Sequence, residues 1–359
     1  MMIKRKDMLK LASKNDHGKL KEFYKKAYGK THILNDSAHT EWQFQKNPFN
    51  TTDDFSLVIA ENDNQIIAHL GFIPVQLKFL DSTKVALWHI SFYTLENFQG
   101  KGLGTKMIKL SNCYGELSMV LSGSDGTKKI YENLDGKDLG NLNRYIAILN
   151  KKRINDFITK NLEKNEIENF SIKKEQIRRI RTLDEDYDNF WNAVKERFPI
   201  TVNRTKEYLE WRYLHHPLID YHFLSLKDEN KLKGFAVIRF EDNNNELKAA
   251  RLVDLICYED YDNIILKNVV NYCREKSDFL DFFCTGMFYK KALEEIGFFN
   301  NTEVKIKIPV VFNPIDFNRR EDINFFYNYH KKNKQYENIL SNKANWFFVK
   351  ADSDQDRAN

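Results

Sequence analysis

Asn97-Phe98-Gln99-Gly100-Lys101-Gly102-Leu103-Gly104-Thr105 is the stretch that decides the fold, and it joins a strand-like run at 85–95 to a helix-like run at 106–113. Three glycines in five residues permit positive φ angles and let successive backbone N–H groups point at one anion. The positive end of the following helix faces the same position. The stretch therefore predicts a phosphate-binding loop at a turn from strand to helix.

The spacing of the glycines separates this loop from other phosphate-binding loops. It lacks the order G-x-x-x-x-G-K-S/T of a Walker loop, and G-x-G-x-x-G would need a glycine in place of Met107. The pattern Gln99-x-x-Gly102-x-Gly104 resembles the acyl-CoA pyrophosphate loop of the GNAT superfamily of N-acyltransferases, whose signature is Q/R-x-x-G-x-G/A. That family places the loop after its fourth strand and before a long helix, and the same order is found here. A glycine-rich turn without a ligand is the alternative.

The composition is that of a folded protein with a nearly balanced surface charge. The 359 residues, 42% hydrophobic and 14% aromatic, are enough for two domains with separate cores. Because the chain has 56 basic and 51 acidic residues, its net charge is small, and we do not expect a nucleic acid polymer as partner. Since no apolar run is long enough to cross a bilayer and residues 1–7 lack an apolar core, we expect a cytoplasmic protein without membrane contact.

The cysteines are spaced singly along the chain. Cys113, Cys257, Cys273 and Cys284 form no C-x-x-C pair, so we expect neither a disulfide framework nor a metal site. The sequence does not determine the oligomeric state.

The first half follows the element order of the GNAT family. The pattern predicts two helices, a three-strand antiparallel meander, the glycine loop with its helix, and then a strand and a helix. These elements fall at 19–28, 39–45, 55–61, 65–79, 84–95, 106–113, 119–122 and 127–134.

A repeat indicates that the second half copies the first. Glu41-Trp42-Gln43-Phe44-Gln45-Lys46-Asn47-Pro48-Phe49 returns as Glu210-Trp211-Arg212-Tyr213-Leu214-His215-His216-Pro217-Leu218. Each copy precedes a predicted three-strand meander, which favours duplication over a chance match of two amphipathic helices. The later elements fall at 184–198, 221–226, 232–240, 249–258, 264–276, 279–284 and 289–296.

These patterns predict an α+β fold of two tandem GNAT-type domains, each a mixed, mainly antiparallel sheet flanked by helices. We place the first domain at 1–165 and the second at 166–359. In the second, Glu259-Asp260-Tyr261-Asp262-Asn263 stands where the glycine loop would be, and its carboxylates would repel a pyrophosphate. We therefore expect the first domain to bind acyl-CoA and the degenerate second domain to bind the acceptor.

The resemblance implies coenzyme A as the acyl carrier, with no metal. The pyrophosphate would be held by backbone N–H groups of the loop, at Gln99, Gly100, Lys101, Gly102, Leu103, Gly104 and Thr105. The thioester carbonyl would lie beside a backbone N–H at the end of the fourth strand, at Phe92, Tyr93, Thr94 and Leu95.

Three residues are candidates for proton transfer. His89 on the fourth strand and Glu96 after it both remain open as the general base, and an imidazole pKa near about 6.5 suits proton removal at neutral pH. A packed strand histidine and a solvated loop carboxylate are the respective alternatives. The resemblance implies that Tyr131 protonates the leaving thiolate, with core or adenine packing as the alternative.

Polar residues in both halves are candidates for substrate contacts. Those of the first half are Ser122, Ser124 and Asp125. Those of the second half suit a charged acceptor that bears a ring, or else form a solvated helix face, and they are Asn203, Arg204, Arg212, Tyr213, His215 and His216.

Three aspartates stand at alternate positions near the end of the chain, Asp352, Asp354 and Asp356. They loosely resemble a calcium loop, but the glycine and the distal glutamate of such a loop are missing. We expect a closing strand with a polar end that can extend to the cleft.

The two halves together resemble the two-domain bacterial GNAT acyltransferases of surface polysaccharides such as lipopolysaccharide O-antigen. Within that group the resemblance is to sugar N-acyltransferases that act on dTDP-3-amino-3,6-dideoxyhexoses, for which 3-hydroxybutanoyl-CoA is one donor type. It implies an acyl-CoA-dependent N-acyltransferase whose amine attacks the thioester directly, with acyl-CoA and a nucleotide-linked amino sugar as partners. Two alternatives stay open, an N-acyltransferase for peptides, proteins or peptidoglycan precursors, and a CoA-binding module without turnover.

Overall fold

The computed structural model describes residues 8–52, 54–157, 165–172, 177–243, 246–304, 306–310, 316, 322–330 and 334–356. Within these residues the strands form one nine-stranded and one seven-stranded sheet. Helices lie on the faces of both sheets. The predicted α+β class with two sheets flanked by helices is confirmed.

The elements of the first half, in chain order, are β1 (Met8–Leu11), α1 (His17–Tyr28), α2 (Ser37–Phe44), β2 (Leu57–Asn62), β3 (Gln65–Phe79), β4 (Ser82–Thr94), α3 (Leu103–Ser111), β5 (Leu117–Leu121), α4 (Asp125–Glu132), β6 (Lys137–Asn141), β7 (Asn143–Ile148) and α5 (Lys151–Phe157).

The elements of the second half are β8 (Ile177–Ile180), α6 (Tyr187–Val194), β9 (Ile200–Val202), α7 (Lys206–Leu209) with a π turn at Glu210–Leu214, β10 (His222–Asp228), β11 (Lys231–Asn243), β12 (Leu247–Cys257), α8 (Asp262–Arg274), β13 (Phe279–Cys284), α9 (Lys290–Glu295), β14 (Phe299–Asn300), α10 (Asn301–Val304), β15 (Asn324–Tyr329), α11 (Glu337–Ser341) and β16 (Trp346–Phe347).

Strands cross between the two halves in both directions, since β7 of the first half joins the second sheet and β9, β15 and β16 of the second half join the first. The first sheet has the order β1-β2-β3-β4-β5-β15-β6, and β9 and β16 extend it beside β3. The second has the order β14-β7-β13-β12-β11-β10-β8. A single residue, Leu142, separates β6 from β7, yet β7 pairs with β13 and β15 returns to lie between β5 and β6. The predicted boundary between residues 165 and 166 stays a prediction.

The strands β7 and β15, here called the exchanged strands, are buried on both faces, although Arg144, Asn324 and Asn328 on them are polar. Residues 144–148 of β7 are buried, and so are residues 324–328 of β15. Each of these strands therefore packs against other parts of the protein on both of its faces.

The two copies of the tryptophan repeat pack against each other. Trp42 of α2 donates its indole N–H to the carbonyl of Trp211 at 2.9 Å, and Trp211 donates to the carbonyl of Trp42 at the same distance. Their rings stack with centroids 4.9 Å apart. This reciprocal contact supports the duplication and marks an approximate two-fold relation between the halves.

A wedge opens in the first sheet where β4 leaves β5. The two strands pair in parallel from Ala86 to Trp88 on β4 and then separate. On the other edge of β4, Ser91 and Phe92 together oppose Leu70 of β3 in a β-bulge. Ser91 has a positive φ of 48°, so the strand bends at this residue and widens the wedge.

Candidate functional site

The glycine loop occupies the wedge end of the first sheet. Gly102 is in the left-handed conformation, with φ 73°, and immediately precedes α3. A side chain on Gly104 would meet the Phe92 ring at 2.7 Å and Ile130 at 2.9 Å. Position 102 favours glycine because of its positive φ angle. Position 104 needs glycine because α3 lies so close to β4 and α4 there.

Two side chains of the loop donate to backbone carbonyls, one at the end of β4 and one within the loop. Gln99 donates from Nε2 to the carbonyl of Thr94 at 2.9 Å, and Lys101 donates from Nζ to the carbonyl of Asn97 at 2.8 Å. The N–H groups of Phe98 and Gln99 already donate to the carbonyls of Leu95 at 2.8 Å and Glu96 at 3.2 Å. The predicted pyrophosphate contact through the N–H of Gln99 is therefore not available in this arrangement, and a ligand would have to use the N–H groups of later loop residues.

A cleft of about 470 Å³ lies between the loop, the end of β4 and the start of α4. Among the predicted site residues, those that line it are Phe92, Tyr93, Thr94, Gln99, Gly100, Gly102, Leu103, Gly104, Thr105 and Ser124. Its lining also contains Phe98, Gly126, Thr127 and Ile130, which the sequence analysis did not single out. Gly126 follows a strand and a capping serine, as a phosphate-binding turn often does, and this was the available signal.

The cleft is suited to an anion because two helices begin at it. The first turns of α3 and α4 contribute lining residues, and unsatisfied N–H groups and the helix dipole attract phosphate at such positions. Ser124 caps α4 by accepting from the N–H of Thr127 at 3.2 Å. A pyrophosphate could bind here through backbone groups alone.

His89 and Tyr131 are brought together but are not among the described residues that line the cleft. The Tyr131 hydroxyl lies 2.6 Å from Nδ1 of His89, and the Ser111 hydroxyl lies 2.9 Å from its Nε2. Burial, together with the nearby His330, lowers the pKa of His89 to about 3, and burial raises the pKa of Tyr131. His89 thus links β4 to α4 through Tyr131 and to α3 through Ser111. A part of His89 and Tyr131 in proton transfer stays a prediction.

The other predicted residues of the first half lie on the surface around the cleft. Glu96 is exposed at the start of a short 3₁₀ turn, and Leu95 and Lys101 flank the lining residues. Ser122 and Asp125 are exposed beside the start of α4, and the N–H of Ser122 donates to the carbonyl of Asn324 at 2.8 Å. Asp125 is the first residue of α4.

Four of the predicted second-half residues bind the protein's own chain. Arg204, with no exposed surface, pairs with Asp254 at 2.9 Å and with Asp352 at 3.2 Å. The Tyr213 hydroxyl also donates to Asp254, at 3.0 Å. Arg212 donates to the carbonyl of Ala351 at 2.7 Å. Asn203 accepts from the indole N–H of Trp191.

The two histidines of the repeat have different surroundings. His215 is exposed, whereas His216 is half-buried and packs on Trp42 with centroids 4.2 Å apart. His216 and Tyr213 line a second cavity of about 330 Å³, together with Arg181, Asp220 and Tyr221. Contact of this group with an acceptor stays a prediction.

A polar network surrounds the β4 bulge, and the sequence analysis did not single it out as a site. The Tyr28 hydroxyl donates to the carbonyl of Ser91 at 3.1 Å and lies 2.7 Å from Nε2 of His69. The Ser91 hydroxyl donates to Asp354 at 3.4 Å. Because these residues come from four distant parts of the chain, local sequence patterns could not have grouped them.

No set of three or more His, Cys, Asp or Glu side chains suited to a metal ion occurs among the described residues. Within the same residues, no helix has the length and apolarity needed to cross a membrane.

Comparison with known proteins agrees with this geometry. A model of the acetyltransferase (GNAT) family matches residues 19–111, which include the glycine loop. A comparison with curated protein sequences finds no match.

Solved structures of similar fold span most of the chain. N-myristoyltransferase of Saccharomyces cerevisiae with bound myristoyl-CoA has a TM-score of 0.57 at 12% identity, covering 91% of this chain and 83% of its own. A GCN5-related N-acetyltransferase of Anabaena variabilis has a TM-score of 0.59 at 8% identity, covering 91% and 73%. A probable N-acyltransferase of Enterococcus faecalis has a TM-score of 0.55 at 11% identity, covering 79% and 66%.

The TM-scores of 0.55 to 0.59 show a shared fold, and the family match lies on the segment that builds the wedge and the loop. Residues 19–111 thus match the acetyltransferase (GNAT) family, and this match together with the fold supports an acyl-CoA-dependent N-acyltransferase.

Proposed function

We propose that this protein binds acyl-CoA in the cleft and transfers its acyl group to the amino group of a nucleotide-linked amino sugar. The observation that carries the acyl-CoA part is the cleft itself, formed by the glycine loop where β4 and β5 separate. The N–H groups of the loop and of α3 bind the pyrophosphate, and the free edge of β4 from Phe92 to Thr94 aligns the pantetheine arm. The thioester then lies at the bulge end of the strand.

The chemistry needs no covalent enzyme intermediate. A neutral amine attacks the thioester carbonyl, the carbon–sulfur bond breaks, and coenzyme A leaves as the thiol after gaining a proton. Holding both reactants at one strand end lowers the entropic cost of their encounter.

The acceptor assignment rests on the tandem architecture and on the second cavity. Its wall combines an arginine side chain that is 76% exposed, Arg181, with the rings of His216, Tyr213 and Tyr221. An arginine suits a diphosphate and aromatic rings suit a base or a sugar face. A dTDP-linked 3-amino-3,6-dideoxyhexose fits this chemistry, with 3-hydroxybutanoyl as one possible acyl group and surface polysaccharide as the destination.

A matched pair of glycine variants tests the acyl-CoA site. Gly102→Asp places a carboxylate where the pyrophosphate binds, whereas Gly140→Asp introduces it at another open position with φ 76°, outside the cleft lining. Calorimetry with coenzyme A should show at least a hundredfold weaker binding for Gly102→Asp and unchanged binding for Gly140→Asp. Equal affinities in the two variants would contradict the site.

A nucleotide panel tests the acceptor. We expect dTDP, UDP or GDP to raise the melting temperature, because a ligand of the native state stabilises it. Arg181→Ala should remove that shift and Arg178→Ala, an exposed arginine of β8 outside the cavity lining, should keep it. If coenzyme A stabilises the protein and no nucleotide does, the peptide or protein acceptor replaces the sugar.

A further inference from the structure

The last part of the described chain, residues 346–356, here called the C-terminal segment, fills a second wedge. In the second sheet β12 and β13 pair in parallel from Ala249 to Leu252 on β12 and then separate. The segment enters the gap, where the N–H of Thr285 donates to the carbonyl of Phe348 at 2.8 Å. Val349 forms an antiparallel bridge with Cys284. The segment thus occupies the place that corresponds to the acyl-CoA wedge of the first half.

Buried groups of the second half hold the segment on both sides of Asp354. Asp352 pairs with Arg204 at 3.2 Å, and Asp356 pairs with Arg239 at 3.1 Å. The Tyr221 hydroxyl also donates to Asp356, at 2.8 Å. Two of the three aspartates therefore serve to position the segment.

Asp354 is directed towards the other half of the molecule. Its Oδ2 accepts from the hydroxyl of Ser91 at 3.4 Å, and its Oδ1 accepts from Nε2 of Gln355 at 3.0 Å. The residue is 9% exposed. Ser91 is the bulge residue of β4 and directly precedes Phe92, the first residue of that strand to line the cleft. Asp354 is not itself among the described residues that line the cleft. Through its contact with Ser91, this carboxylate of the second half is one residue away from that lining.

We propose that Asp354 binds the ammonium group of the acceptor and takes its proton. This inference rests on the proposed function and adds a residue that the sequence analysis had placed only in a polar tail. A partly desolvated carboxylate interacts more strongly with an ammonium group than a solvated one does. The bonds that fix the C-terminal segment and the β4 bulge hold the acceptor amine close to the thioester.

The proton balance of the step is complete. The acceptor ammonium gives one proton to the Asp354 carboxylate, and the resulting amine forms the carbon–nitrogen bond at the thioester carbonyl. As the carbon–sulfur bond breaks, the attacking nitrogen loses its second proton and the thiolate gains one. Asp354 returns its proton to solvent, so that the products are the amide, coenzyme A thiol and one released proton.

Two coenzyme A thioethers test this inference without knowledge of the acceptor. S-(2-aminoethyl)-CoA places an ammonium group near the position of the attacking nitrogen, and S-propyl-CoA has the same size without the charge. By calorimetry the wild-type protein should bind the aminoethyl compound about tenfold more tightly or better, as expected for a charge-assisted hydrogen bond. Asp354→Asn should bind the two compounds equally and should bind S-propyl-CoA as the wild type does.

Asp228→Asn is the matched control, because Asp228 is an exposed carboxylate of the second half that is bonded to Tyr261. It should keep the preference of the wild type. A wild-type protein that binds both thioethers without preference would overturn the inference and leave the proposed function standing. Binding of neither thioether would instead contradict the proposed function, and the wild-type comparison decides even if Asp354→Asn fails to fold.

Discussion

Some residues of this site have partners that are close to them in the sequence. Others are held by partners from a distant part of the chain. The glycines of the loop and the end of β4 belong to one local pattern, so their role in the cleft follows from spacing and residue type. Ser91 and Asp354 are 263 positions apart, and only the folded structure brings them together. Arg204 and Arg212 have the chemistry of ligand-binding residues, but their burial against the C-terminal segment could not be inferred from type alone.

His89 and Tyr131 provide a prediction at the same scale. Tyr131→Phe leaves Nδ1 of the buried His89 without its 2.6 Å partner, and an unsatisfied buried group costs about 1–3 kcal/mol. We expect a loss of that size in the free energy of unfolding, measured with urea, and unchanged affinity for coenzyme A.

Tyr261→Phe is the control for this measurement. It removes an exposed hydrogen bond, that of the Tyr261 hydroxyl to Asp228, so its effect should stay within about 0.5 kcal/mol. Equal effects of the two substitutions would refute a structural role for the His89–Tyr131 pair.

The predicted boundaries of the secondary-structure elements agree best with the structure where the hydrophobic pattern of the sequence is strong. The predicted ends of β3 and β13 agree with the structure, and α1, α2 and α8 differ from their predicted ranges by a few residues. The short strands β1, β8, β9 and β14 were not predicted, because two to four residues carry too little pattern. The exchange of β7 and β15 depends on pairing between distant segments, which local patterns do not determine.

The reciprocal tryptophan contact between α2 and the π turn gives a prediction at the scale of elements. Trp42→Phe and Trp211→Phe each remove one indole N–H bond and part of the same stacked pair. We expect each to lower the free energy of unfolding by about 1–3 kcal/mol, with similar values because the contact is symmetric.

A double-mutant cycle completes this test. The two changes should be non-additive by at least about 0.5 kcal/mol, since both residues belong to one contact. Strict additivity would show that the two copies of the repeat do not stabilise each other.

At the scale of the whole molecule, the strand exchange makes each sheet depend on both halves. A fragment of residues 1–165 contains β5 and β6 but lacks β15, which lies between them. We expect this fragment alone to show no cooperative unfolding transition by circular dichroism, and co-expression with residues 166–359 to restore one. A cooperative transition of the fragment alone would contradict interdependence of the halves.

Buried histidines give the molecule a sensitivity to acid. Burial, assisted by neighbouring positive groups, lowers the pKa of His69 and His89 to about 3 and that of His216 to about 2. In the unfolded chain these groups take up protons below a pKa of about 6.5, so the unfolded state binds more protons between there and the folded values. The contribution of these histidines to the free energy of unfolding is therefore fully present above about pH 6.5. It falls as the pH drops towards 3, by up to about 1.4 kcal/mol per pH unit for each histidine.

Asp352 opposes this trend in part, because burial raises its pKa to about 6 despite the nearby Arg204. Urea unfolding at several pH values measures the slope. His69→Gln should reduce it, whereas His215→Gln, at an exposed position, should not. A slope that is flat from pH 6.5 to 4 would refute the prediction.

The place of β15 also bears on how the protein is made. A ribosome releases β1 to β6 long before β15, so the first sheet stays incomplete, with β5 and β6 lacking their shared neighbour, while the second half is being translated. Nascent chains stalled before residue 324 should bind chaperones and be cut by proteases within the first 140 residues. The acyl-CoA cleft would then become functional only after synthesis of the second half, so that donor binding begins in a molecule already equipped to hold an acceptor.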